Sequence, residues 1–140
     1  MPGFLRRLFG GGGANHPSAP LLDEDELERI GTEEDLLKNY EEAAERNFRA
    51  MEAEQNGGIE LAISLYEQSV AEDFVEAHPY ERLANIHERR GENAAALEVT
   101  ERFISLAKSG RLPKGSQRSA DRRLPEFEAR AAKYRGSKTS

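Results

Sequence analysis

The apolar positions of this chain recur at helical spacing over most of its length. Leu37, Tyr40, Ala44, Phe48 and Met51 stand three, four, four and three residues apart, which puts them on one side of a helix with 3.6 residues per turn. Thr32 followed by Asp35 has the form of a capping box, and Glu33, Glu34 and Asp35 suit the positive end of a helix dipole. A first long helix is therefore expected from Thr32, ended by Asn56-Gly57-Gly58. Ala62, Tyr66 and Val70, with Ile63 beside them, mark the apolar side of a second helix over 59–71. His78-Pro79 opens a third, because proline is tolerated in a first turn; it runs over 79–90 with Tyr80, Leu83, Ala84 and Ile86 or His87 inward and Gly91 at its end. A fourth covers 92–107 with Ala96, Leu97, Thr100, Phe103 and Ile104.

The two ends read differently. Residues 1–20 hold Gly10 to Gly13, Pro17 and Pro20, too little apolar surface to offset the entropy of ordering, and are expected to form a flexible leader. Leu21 to Ile30, acidic with four apolar residues, is either a short helix or a loosely docked arm. A connector rich in glycine, proline and cations spans 109–115. A last helix over 116–135, interrupted at Leu124-Pro125, carries Leu124, Phe127, Ala131 and Tyr134 on one side, and the final five residues are expected to be disordered. The resulting division is a leader and acidic arm over 1–31, a helical domain over 32–110, and a basic linker, capping helix and tail over 111–140.

Composition narrows the function classes. With 140 residues, 33% of them charged and 37% hydrophobic, the chain supports one small domain with a modest core, and a deep enclosed active site is not expected. It has no cysteine, so disulfides, zinc knuckles, CxxC redox centres and thiol nucleophiles are excluded and a cytoplasmic setting is the default. The apolar stretch Phe4 to Phe9 is broken by Arg6 and Arg7 and followed by glycines, too short for a secretory core or a transmembrane span. Charge is unevenly placed: residues 21–107 carry 8 basic and 23 acidic side chains, whereas 108–140 carry 10 basic and 3 acidic. An acidic body with a basic tail would attract a polyanion at one end and repel it at the other.

Shifting the chain by 34 residues superimposes Ala43 on Ala77, Ala50 on Ala84, Glu54 on Glu88, Gly57 on Gly91, Ala62 on Ala96 and Glu67 on Glu101. The glycines fall in turns between helices and the alanines where two helices would cross, so placement says more than number. On these positions the sequence resembles the tetratricopeptide repeat family. The second copy reads Pro79-Tyr80, Leu83-Ala84, His87, Gly91, Ala96, Thr100 and Phe103; the first keeps Ala50, Ala53, Gly57, Ala62, Tyr66 and Ser69-Val70, with Phe74 near the closing turn. Arg46 and Arg49 stand where the family has an aromatic and a leucine, so the first helix is expected to rotate and use Phe48 and Met51 instead. The resemblance implies an all-α fold of two helix-turn-helix hairpins, with an N-terminal helix extension and a C-terminal capping helix. The alternative is a helical bundle whose alanine and glycine placement is accidental.

The resemblance also implies a groove lined by the first helix of each hairpin, with Ala44, Asn47, Met51 and Gln55, then His78, Glu81, Asn85 and Arg89 facing it. No nucleophile–base set is visible, and neither is a phosphate-binding glycine loop or a metal-ligand spacing around His16, His78 or His87. The expectation is thus a non-enzymatic adaptor, without cofactor or metal, that binds a peptide, a helix or a second copy of itself. The alternative is a nucleic-acid or ribonucleoprotein accessory factor acting through Arg111, Lys114, Arg118, Arg122, Arg123, Arg130, Lys133, Arg135 and Lys138. Pairing of that basic run with the acidic body is preferred. Phe4 to Phe9 is too short for stable membrane anchoring.

Overall fold

A computed structural model describes residues 39–137. The described chain is all-α, as expected, with five helices in sequence: α1 (Tyr40–Gln55), α2 (Ile59–Ala71), α3 (His78–Arg89), α4 (Asn93–Ala107) and α5 (Lys114–Ser137). Each helix packs on the next, and no strand occurs among the described residues.

The turns explain where the helices stop. Gly57 and Gly91 both take positive φ, +88° and +76°, a region open to glycine without steric cost. In the first turn the Gly58 N–H donates to the Ala53 carbonyl at 2.7 Å and the Gly57 N–H to Glu54 at 3.4 Å; in the second, Glu92 donates to His87 at 2.8 Å and Gly91 to Glu88 at 3.0 Å. Both are the paired bonds of a Schellman ending, and all the participating residues are 34 apart. The end of α2 uses the same pattern, with the Phe74 N–H donating to Ser69 at 3.1 Å and the Asp73 N–H to Val70 at 3.0 Å. Here Asp73 holds φ +57°, which a short polar side chain tolerates better than most.

The buried surface runs through all five helices. Tyr66, Tyr80, Leu83, Phe103 and Phe127 are its largest fully enclosed side chains, and Ala50, Ala62, Ala84 and Ala96 are all enclosed with them. The Tyr80 and Phe103 rings lie 5.1 Å apart and Phe103 and Phe127 4.4 Å apart, an aromatic series from α3 through α4 to α5.

Three expectations need correction. The first helix begins at Tyr40 behind a non-helical Asn39 (φ −112°), so it does not run unbroken from Thr32, whose capping box lies outside the described residues. It also keeps its register. Ala43, Arg46, Asn47 and Ala50 face inward while Phe48 is exposed, so the rotation onto Phe48 does not occur. Arg46 can stay inside because its guanidinium donates to Ser69 Oγ at 3.1 Å and to both Glu72 carboxylate oxygens, and Ser69 in turn donates to Asn47 at 2.6 Å. Finally, α5 is not interrupted at Leu124-Pro125 and extends into the stretch expected to be disordered, through Gly136 and Ser137. Pro125 lies on its exposed side, where the carbonyl left without a helical N–H can meet water. Residues 138–140 and 1–38, with the predicted leader, acidic arm and Phe4 to Phe9 segment, lie outside the described residues.

Candidate interaction surface

Two carboxylates organise the polar contacts between α1, α3 and α5. Glu54, on α1, accepts from Nε and Nη2 of Arg82 on α3, accepts the Tyr66 hydroxyl at 3.0 Å and lies 3.6 Å from Arg89. Burial alone would raise its pKa; hydrogen bonds from Arg82 and Tyr66 and the two cationic neighbours outweigh that and hold Glu54 below the usual carboxylate range. Burial and the Glu54 carboxylate push the Tyr66 hydroxyl the other way, so it remains a donor. Thirty-four residues on, Glu88 repeats the arrangement with α5. It accepts from Lys133 at 2.8 Å and from the Tyr134 hydroxyl at 2.7 Å, with Arg130 at 3.5 Å. Lys133 and Tyr134 lower its pKa. In each case one acid ties its helix to the cations of the neighbouring helix.

The residues predicted to line a groove divide accordingly. Asn47 is buried and occupied by Ser69. Glu81 pairs with Arg123 at 3.0 Å and Asn85 accepts from Arg130, so α5 engages both. Arg89 is exposed and reaches Glu54. His78 is half-buried with its ring 6.1 Å from Tyr66, edge-on, and burial together with the Arg82 charge lowers its pKa, which favours a neutral ring at pH 7. Met51 is half-buried against the core and Gln55 is exposed. The structure thus gathers His78 and Arg89 around Glu54, but gives Asn47, Glu81 and Asn85 internal partners. Sequence reasoning missed Arg82, Glu54 and Glu88 as organising residues, although the two acids stood among the 34-residue identities.

The basic run is largely paired within the chain. Arg111 meets Asp73 at 3.3 Å, Arg123 meets Glu81, Arg130 and Lys133 meet Glu88, and Arg135 meets Glu101 at 3.0 Å. Arg118 and Arg122 are exposed, and Lys138 lies outside the described residues.

Against this polar surface two large apolar side chains stand out. Phe48 on α1 is 58% exposed and Leu61 on α2 is 57% exposed. The exposed acids of the same two helices are Glu41, Glu42, Glu45, Glu52, Glu60 and Glu67, with Arg49 the exposed cation of α1. Among the described residues there is no group of three or more histidines and carboxylates placed to hold a metal ion, and no helix is long and apolar enough to cross a membrane. Protein-family profiles, curated proteins and solved structures yield no match to this chain.

Proposed function

We propose that this chain is a non-enzymatic protein-interaction module of tetratricopeptide type, in which two related helix pairs are closed at one end by α5. Support comes from the positions that recur at 34 residues: the glycine turns, the buried alanines, and Glu54 and Glu88 as anchors for the neighbouring helix. The binding surface is the open side of α1 and α2, and one observation carries it: Phe48 and Leu61 are the large apolar side chains left exposed among the described residues. The row predicted on α3 is a poorer candidate because α5 already occupies Glu81 and Asn85 of it.

The same ion pairs favour the intramolecular role of the basic helix over the nucleic-acid alternative, since a phosphate would have to displace carboxylates from Arg123, Arg130, Lys133 and Arg135. Tagged full-length chain purified from its native cell, with and without Phe48→Asp and Leu61→Asp, tests the reading. The double variant is expected to keep the helical circular-dichroism spectrum and lose the proteins that co-elute with wild type after nuclease treatment. An unchanged set of co-eluting proteins would refute it.

A further inference from the structure

The second helix pair shows how such a face is used. Arg82 of α3 reaches Glu54 of α1, and Arg102 of α4 reaches Asp73 at 3.1 Å and the Ala71 carbonyl at 3.3 Å at the end of α2. These two residues therefore mark the side of α3 and α4 that lies on the first pair. Subtracting 34 gives Phe48 and Gln68 in α1 and α2. Leu61, Leu65 and Gln68 are spaced four and three apart and share one side of α2. The apolar residues Phe48 and Leu61 thus stand at stacking positions, on the side where the first pair would receive another helix.

The charges identify that helix as basic. The exposed acids Glu41, Glu45 and Glu52 stand at i−7, i−3 and i+4 from Phe48, and residues 21–39, directly before α1, have the wrong sign, with Asp23, Glu24, Asp25, Glu26, Glu28, Glu33, Glu34 and Asp35 against Arg29 and Lys38. The opposite end of the same molecule carries the complement. On α5, Arg118, Arg122, Pro125, Ala129 and Ala132 are all exposed and follow one another at intervals of four, three, four and three, a single stripe on the side away from Phe127 and Tyr134. Two guanidinium groups precede a low, apolar strip on which large side chains can lie, and the acids that border it are engaged within the chain, Asp121 by Gln117 at 2.8 Å, Glu126 by Arg123 at 3.1 Å and Glu128 by Lys108 at 2.9 Å.

We infer that the Phe48–Leu61 face is covered by a second copy of this chain, which presents the Arg118–Ala132 stripe of its α5. This rests on the interaction-module reading and specifies its partner. The two faces are different surfaces of one molecule, so the contact is heterologous and open-ended, with each added copy leaving one face of each kind unsatisfied.

Two full-length variants test it: Phe48→Asp with Leu61→Asp, which blocks the acidic face, and Arg118→Glu with Arg122→Glu, which blocks the stripe. All four side chains are exposed, so both variants should match the wild-type circular-dichroism spectrum and melting temperature. In sedimentation equilibrium up to ~1 mM chain, wild type is expected to pass beyond a dimer as concentration rises. That association should be lost in ~0.5 M salt, where exposed charges are screened. Each variant alone should be monomeric, while their equimolar mixture should form a one-to-one dimer and stop there, because one intact face of each kind remains. Monomeric wild type, a mixture that stays monomeric, or association of either variant with itself would overturn the proposal. Monomeric wild type whose native-cell capture still depends on Phe48 would remove the second copy as partner and leave the module reading standing. Loss of both would remove both.

Discussion

Arg46 and Tyr80 stand 34 residues apart and occupy matching inward places, one a cation and the other a ring. Tyr80 settles its hydroxyl on the Phe74 carbonyl at 2.8 Å. Arg46 needs more, and Ser69, Glu72 and, through Ser69, Asn47 supply it, leaving no buried side-chain nitrogen or oxygen without a partner among the described residues. Glu72 is partly exposed, so much of the pair's Coulomb energy is screened and the hydrogen bonds and the packed stem matter more. Arg46→Ala should therefore destabilise the fold by about 2–3 kcal/mol, read by urea unfolding, because it strips Ser69 and Glu72 of a donor and opens a space at the α1–α2 contact. A loss below about 0.5 kcal/mol would show the network to be ornamental. This residue also shows why the rotation of α1 was misjudged from sequence. Counting apolar positions ranks Phe48 above Arg46, whereas the fold places a satisfied guanidinium inside and leaves the ring outside.

At the scale of the helices, local chemistry decided the boundaries that were legible. The limits of α2 match those read from the sequence, and those of α3 and α4 agree within a residue, because Gly57, Gly91 and His78-Pro79 act through their own backbone. The course of α5 was not legible, since what carries it past Pro125 is tertiary: Phe127 lies against Phe103, and Ala120, Ala131 and Tyr134 are buried. That burial makes α5 part of the core and not an optional tail. Full burial of a phenylalanine is worth about 1.5–3 kcal/mol, so losing Phe127 and its neighbours takes a large share of the ~5–15 kcal/mol that holds a small domain. A chain ending at Gly110 should lose its cooperative thermal transition by circular dichroism. A sharp melt within about 5 °C of wild type would contradict this account of α5.

For the molecule as a whole, the lowered pKa values of Glu54 and Glu88 contribute to its response to acid. Folding depresses both, so the stability they confer is present above the ordinary value of 4.5 and is lost as pH falls through their folded-state values. Glu54→Gln is expected to melt below wild type at pH 7, with the difference closing as pH drops below 4.5, measured by scanning calorimetry across that range. A difference that stays constant would show the carboxylate charge to be irrelevant. The candidate site was half legible from sequence. Glu54 and Glu88 appeared as a recurring pair, but their cations come from α3 and α5, and Arg82, Arg130 and Lys133 keep no common spacing from the acids they meet. Those two acids make length a free variable of this architecture. The block 58–91, copied and spliced in at the Gly91 turn, would bring its own Glu88 for the helix ahead and its own Arg82 for the helix behind, so the scaffold could be extended without redesigning either end.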